Sequence, residues 1–281
     1  MKIVFFGNTI YSVIGARIIH EQLGLSQIVT IPDREDKRGH LTPSPLKTFA
    51  LEKNIPVLTV NKLNNATIEH IASLQPDFLV VEDYGLILPQ NLLALPKYAS
   101  LNIHHSLLPK YRGPSPAPAA ILSGETKTGV TVMKMAKKVD AGDILSQKEY
   151  IMRPDETTDS LLTVLNELGA HLIIPLLKKN HTMQATPQDE TQATFTKMLT
   201  KQDGLIDSAN PPSPEQLDRM IRAYYPWPTV WTHLTINGKE KIVKLLPEKK
   251  LQVEGKTPMG IKDFLNGYPT LQKVIKDIFH E

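Results

Sequence analysis

No cysteine occurs in the chain, which excludes disulfides, thiolate metal ligands and a cysteine nucleophile and makes a reducing, cytoplasmic setting the expectation. No apolar run approaches the roughly 18 residues that a membrane span needs. The opening MKIVFFG reads as a strand and lacks the charged and apolar regions of a signal peptide. Excess charge of either sign is also missing. The formal net charge of +3 over 281 residues gives no ground for nucleic-acid binding, because domains that bind electrostatically usually concentrate a basic patch. There is no internal repeat, no close G-x-G-x-x-G after the first strand, no P-loop lysine and no G-x-S-x-G elbow. These absences count against a dinucleotide at Gly7, against a phosphate-cradling loop and against Ser106 as a nucleophile.

What is present is alternation. Up to residue 150, short apolar runs (KIVFFG, SQIVTI, IPVLTV, DFLVVEDYG, SLNIH) are interleaved with amphipathic ones (TIYSVIGARIIHEQLG, PLKTFALEKN, ATIEHIASLQ). This predicts βαβ units, hence an α/β fold with a mostly parallel sheet and helices on both faces. TGVTVMKMA and DILSQKEYI add two strands, and TTDSLLTVLNELGAHLIIPLLKK predicts a long helix capped by Thr157 or Thr158. A first domain is expected over residues 1–182. The polar, Thr/Gln-rich segment 183–202 has the composition of a linker. Residues 203–281 are expected to form a small β domain, with one helix in SPEQLDRMIRAY, a proline-rich corner YYPWPTVW, and strands WTHLTI, KIVKLL and LQVE.

One stretch concentrates chemistry: LNIHHSLLPKYRG, residues 101–113. Alternation along a strand puts Asn102, His104 and Ser106 on one face, with Ile103 and His105 on the other. Adjacent histidines on opposite faces cannot share one ion, so no metal is expected. Ser106 is expected to set the turn through a local hydrogen bond, and His105 to be structural. Downstream, Asp140 sits in a glycine-containing loop between two strands, where a carboxylate can face a neighbouring strand end. An amide, an imidazole and a carboxylate converging there could polarise a carbonyl, stabilise an oxyanion and move protons.

NIHHSLLPKYRG followed by VTVMKMAKKVDAGDIL resembles the signature of formyltransferases that use 10-formyltetrahydrofolate, centred on N-x-H-x-S-L-L-P with an Asp-x-Gly loop downstream. The separation 140 − 104 = 36 is that family's spacing. The resemblance implies a Rossmann-like formyltransferase fold, Asn102, His104 and Asp140 as catalytic triad, and 10-formyltetrahydrofolate as formyl donor and co-substrate with no metal. It further implies an oxyanion stabilised by Asn102 and a protonated His104, with Asp140 orienting the imidazole. DYGLILP, residues 83–89, and SLLP, residues 106–109, resemble parts of the folate pocket, which implies contacts from Leu86, Ile87, Leu88, Ser106, Leu107, Leu108, Pro109 and Val139.

Within that family, PDREDKRGHLTPSPLK resembles a loop of the members that formylate initiator methionyl-tRNA, and it implies Lys37 and Arg38 as tRNA contacts. PWPTVWT and GKTPMGIKDFLNGY resemble their C-terminal, tRNA-binding, β-barrel-like domain, here shortened because only PEKK separates KIVKLL from LQVEGKTPM. The expected partners are initiator methionyl-tRNA and the folate, with no membrane and a monomeric chain. A nucleotide-linked amino sugar, or water in a hydrolase, are the alternative acceptors. NTIY after the first strand, His105 beside the triad histidine, and Glu82 and Asp83 at a strand end depart from the family pattern.

Overall fold

The computed structural model describes residues 1–35, 39–179 and 184–280. Along the chain, β1 (Ile3–Phe6), α1 (Ser12–Leu23) and β2 (Gln27–Thr30) are followed by a short hairpin, β3 (Arg34–Glu35) and β4 (Leu41–Thr42). Then come α2 (Pro45–Glu52), β5 (Val57–Thr59), α3 (Asn65–Ser73), β6 (Phe78–Val81), α4 (Gln90–Leu93), β7 (Ala99–His104) and α5 (Pro116–Leu122). β8 (Lys127–Lys134), β9 (Ile144–Ile151) and α6 (Thr158–Lys179) complete this half.

Seven of these strands form one sheet in the order β5-β2-β1-β6-β7-β8-β9. β2, β1, β6 and β7 pair in parallel, and β8 returns antiparallel against β7 with His104 opposite Thr131. The expected α/β architecture is therefore present, and its parallel strands IVFF and FLVV are buried along their whole length, as strands covered on both faces must be. The period-2 pattern sorts their side chains. Ile3, Phe5, Phe78 and Val80 pack with residues of α1, α2 and α6, while Val4, Phe6, Leu79 and Val81 pack with Ile71 and Leu92 of α3 and α4. Ser44 and Asn64 start α2 and α3 by accepting from Lys47 N–H and Thr67 N–H at 3.1 and 3.0 Å. Thr157 caps α6 by accepting from Ser160 N–H at 3.2 Å.

α6 corrects one expectation: it is long and apolar enough, by length and composition, to cross a membrane. Charged residues are too sparse to lower its average hydropathy. Its Leu161, Leu165, Ala170, Ile173 and Leu177 are nonetheless fully buried within the protein.

After α6 come α7 (Pro214–Ala223), β10 (Val230–Ile236), β11 (Lys239–Leu246), β12 (Lys250–Val253), β13 (Met259–Gly260), α8 (Ile261–Gly267) and α9 (Gln272–Phe279). β10 to β13 form a four-stranded antiparallel sheet in chain order, with the three strands expected from the sequence as its first three. Two further helices, which the sequence reading left out, close the chain.

The chain divides into two compact units, and neither is one continuous stretch. One comprises Met1–Gly113, Thr128–Ile151 and Leu162–Phe195; the other comprises Pro114–Lys127, Met152–Leu161 and Thr196–Glu281. The composition of 183–202 predicts a linker between contiguous domains. Its residues up to Phe195 instead belong to the first unit, because Thr186 bridges to Ile144 and Thr194 hydrogen-bonds Arg112, Tyr111 and Pro109.

Candidate active site

In open α/β sheets, ligands bind outside the carboxyl ends of the strands where the strand order reverses. Here the order reverses between β1 and β6, and Asn102 and His104 end β7, the next strand. Asn102 is half-buried and His104 buried, as expected for residues two apart on one face. Asp140 Oδ2 lies 3.6 Å from His104 Nδ1. Three residues that the sequence could align only by spacing thus come from one strand end and one loop of the same unit.

The Asp140 loop is fixed by three hydrogen bonds from outside it. Asp140 takes a left-handed backbone conformation, φ +50°, and its Oδ2 also accepts from Gly113 N–H at 2.8 Å. Gly142 is required because a Cβ there would stand 1.7 Å from the Lys134 carbonyl oxygen. Gln188 Nε2 donates to the Asp140 and Gly142 carbonyls at 2.9 and 2.7 Å. The Gln188 Oε1 in turn accepts from Arg112 Nε and Nη2 at 3.0 and 2.8 Å. Arg112, 1% exposed, also pairs with Glu190 at 2.7 Å. Arg112 and then Lys138 hold the Glu190 carboxyl down to about 2. Nothing in the composition of 183–202 marks Gln188 or Glu190 as supports of the site.

His104 Nε2 donates to the Tyr111 carbonyl, 3.0 Å away, and a carbonyl can only accept, so Nε2 carries the proton. Burial lowers the His104 pKa below the ordinary histidine value, against the opposing pull of Asp140 and the Tyr111 carbonyl. The imidazole is therefore neutral at pH 7. That corrects the protonated His104 expected from the sequence: desolvation outweighs the carboxylate, since no full hydrogen bond spans 3.6 Å. The side chain is poised to take up a proton at Nδ1, and the cation so formed would face Asp140.

The turn 106–109 is built as expected around Ser106, whose Oγ donates to the Lys110 carbonyl at 2.6 Å. Thr131, the register partner of His104, donates to the Ser106 carbonyl and accepts from Leu108 N–H, while Gln147 donates to the Leu108 carbonyl and to Thr131. Strand alternation in TGVTVMKMA could have singled out Thr131. Ser106, Leu108 and Leu88 are buried, and Leu88 packs in the apolar cluster of β6 and α4. Leu86, Leu107 and Pro109 are half-buried. Ile87 and Val139 are 79% and 52% exposed. The backbone N–H and C=O groups from Gly85 to Leu88 bond no described residue. Lys37 and Arg38 lie outside the described residues, between β3 and β4. A cavity of about 290 Å³ opens at the ends of β1 and β2, lined by Asn8, Thr9, Ile31, Arg34, Thr42 and Ser44. His105, on the other face of β7, is buried against Glu82 and Asp83. Among the described residues, no cluster of three or more His, Asp or Glu could hold a metal.

Comparison with known proteins gives a consistent result. Residues 1–177 match the family described as formyl transferase, and residues 198–251 match the formyl transferase C-terminal domain. The methionyl-tRNA formyltransferase of Roseiflexus castenholzii is 41% identical over 240 residues, covering 82% of this chain and 76% of that protein. That of Halalkalibacterium halodurans is 42% identical over 245 residues, covering 85% and 76%. Among solved structures, a 4-N formyltransferase from Francisella tularensis aligns over 88% of this chain and 98% of its own, with a TM-score of 0.66 and 18% identity. HypX from Aquifex aeolicus in complex with tetrahydrofolic acid covers 97% of this chain and 48% of its own, with a TM-score of 0.63 and 16% identity. At such identities the two structures speak to the fold alone.

Proposed function

We propose, from the premise that the chain belongs to the formyl transferase family, that Asn102, His104 and Asp140 carry its reaction at the carboxyl end of β7. The chain is an enzyme that formylates methionyl-tRNA, like its relatives at about 40% identity. The observation that supports the triad most is the approach of His104 to Asp140 beside the Asn102 amide, at the sheet end where such folds bind ligands.

A folate supplies the formyl group in this reading, specifically 10-formyltetrahydrofolate. The residues present fit it: unpartnered backbone donors and acceptors from Gly85 to Leu88 suit a pterin edge, and exposed Ile87 and Val139 offer apolar cover. Leu86, Leu107 and Pro109 would add to that cover. Leu88 would reach the donor only through its backbone, since its side chain is committed to the interior, and Ser106 and Leu108, whose backbone groups are bonded within the turn, would support the pocket wall. Lys37 and Arg38 are proposed to contact phosphates of the initiator tRNA.

The amino group of the methionyl ester is the nucleophile. Asn102 in this reading donates its side-chain N–H to the carbonyl oxygen that gains charge, a contribution of about 3 kcal/mol where such donors have been removed. Neutral His104 accepts the proton the amine must lose, and Asp140 stabilises the imidazolium that results. His104 then returns this proton to the departing nitrogen. Labelled 10-formyltetrahydrofolate, mixed in parallel with charged initiator tRNA, amino-sugar nucleotides and buffer, tests the acceptor. Label on methionyl-tRNA alone is expected; rapid label on an amino sugar, or rapid release of formate, would overturn the assignment.

A further inference from the structure

Glu82, Asp83 and His105 meet in the interior where β6 and β7 end, across the strand from the triad. His105 Nδ1 is 3.4 Å from Asp83 Oδ1, and Nε2 is 3.8 Å from Glu82 Oε1. The side chains of His105 and Glu82 are 4% and 0% exposed. Both Glu82 oxygens and His105 Nε2 are buried with no hydrogen-bond partner among the described residues, an expensive arrangement for a charge unless an opposite one stands beside it. One helix is stripped to admit Glu82: a Cβ on Gly15 of α1 would stand 1.9 Å from Glu82 Oε2.

Asp83 joins separate elements. Its φ of +52° turns the carboxylate away from the strand direction. Oδ2 accepts from Thr9 Oγ1, in the loop after β1, at 3.1 Å, and Asn166 of α6 helps to hold the Asp83 carboxyl below its ordinary value. Thr9 also lines the 290 Å³ cavity. The groups facing His105 are therefore Glu82 and Asp83, just after β6, with Thr9 and Asn166 behind Asp83, and its neighbour on β7 is His104. Two carboxylates beside one imidazole favour its protonated form, which offsets one of their two charges.

We propose that His105, held by Asp83 and Glu82, is a positioning residue for formyl transfer: it ties the loops after β1 and β6 together, and its fixed positive charge beside His104 opposes protonation of that imidazole. The proposal rests on the reading of His104 as proton acceptor. The electrostatics agree with the geometry. Burial pulls His105 down, yet Asp83 and then Glu82 outweigh it and raise the group to about 10. Burial pushes Glu82 up to about 7. Burial also pushes Asp83 up, but His105, Thr9 and Asn166 together hold it below its ordinary value.

Histidine-selective ¹⁵N spectra of the full chain read each imidazole's charge without turnover, and His104→Asn and His105→Asn assign the two signals. In the unmodified protein, His105 is expected to stay cationic through pH 8, with His104 neutral at pH 7. In His105→Gln, the His104 midpoint should rise by about half to one pH unit, because a like charge is lost and Asp83 is left unneutralised. The acidic limb of kcat/KM should rise with it, while His105→Lys, which keeps a positive charge at the position, should leave both nearer their original values and so separates the lost charge from a wetting of His104. A neutral His105 at pH 7 in the unmodified protein overturns the proposal even where His105→Gln fails to fold. So does an unmoved His104 midpoint in a folded His105→Gln. Turnover in His104→Asn checks the underlying reading separately: normal rates there would remove the catalytic half of the proposal, while the charge on His105 would still be read from the spectra.

Discussion

Replacing Gln188 by Ala removes four hydrogen bonds at once: two to the Asp140 and Gly142 carbonyls and two from the Arg112 guanidinium. Each bond to a neutral carbonyl is worth about 1 kcal/mol net, and a bond from a charged donor about 1.5–3 kcal/mol. Gln188 is half-exposed, so water can refill part of the space, and a loss of about 3 kcal/mol is the working value. For a unit of this size that corresponds to a fall in Tm of roughly 6–12 °C, readable by differential scanning calorimetry. The rate is the sharper test. The Asp140 loop would keep its Gly113 contact but lose its outer clamp, and kcat for methionyl-tRNA should drop about tenfold or more, with the KM for the donor changing less. Gln188→Glu separates the two effects. Its carboxylate still pairs with Arg112 but opposes two carbonyl oxygens, so stability should recover further than kcat. A Gln188→Ala protein with unchanged Tm and unchanged kcat would refute the view that this glutamine holds the catalytic loop.

Further outcomes follow from the same geometry. Asn102→Ala and His104→Ala should each lower kcat by about two decades with donor binding retained, checked by single-turnover kinetics and equilibrium titration. Because His104 lies below the ordinary histidine value and must be neutral to accept a proton, kcat/KM corrected for protonation of the methionyl amine should be flat around pH 7 and fall only below pH 6.5; a corrected fall beginning near pH 8 would contradict it. Glu82 and His105 are raised to about 7 and about 10. Each therefore favours the folded state below its unfolded value and loses that contribution as pH rises to its folded value, so Glu82 should lower Tm between about pH 4.5 and 7 and His105 between about pH 6.5 and 10, and Glu82→Gln should flatten the first of these declines. Gly15→Ala should destabilise by about 1–3 kcal/mol through overlap with Glu82, and adding Glu82→Ala should restore most of the loss; simple additivity in that double variant would show that the two sites do not touch.

The sheet was legible because its information is local. IVFF and FLVV are apolar throughout, the intervening helices carry a 3.6-residue pattern, and Ser44 and Asn64 cap where caps were needed. The face assignment at 102–106 could be read from period 2 alone, and His104 and His105 do part company toward Asp140 and toward Glu82 and Asp83. What escaped was long-range. Gln188 reaches Arg112 and Asp140 across 76 and 48 residues, and a polar, aperiodic stretch that packs through backbone and amide groups has the composition of a linker. The charge of His104 escaped as well, because it depends on how completely the fold removes water from one ring, which no spacing encodes.

The interleaving of the two units bears on how the chain can be made. A ribosome delivers residues in order, so strands β1 to β7 can leave the tunnel and begin to associate while Thr128–Ile151 and Leu162–Phe195 are still being synthesised. The clamp on Asp140 arrives last of all in that unit, with Gln188. Until then, the stretches Pro114–Lys127 and Met152–Leu161 have emerged without the bulk of the unit they join, which begins only at Thr196. A nascent chain stalled near residue 182 would therefore hold a sheet without an ordered catalytic loop, and formylating competence should appear during translation only after residue 195 has cleared the tunnel.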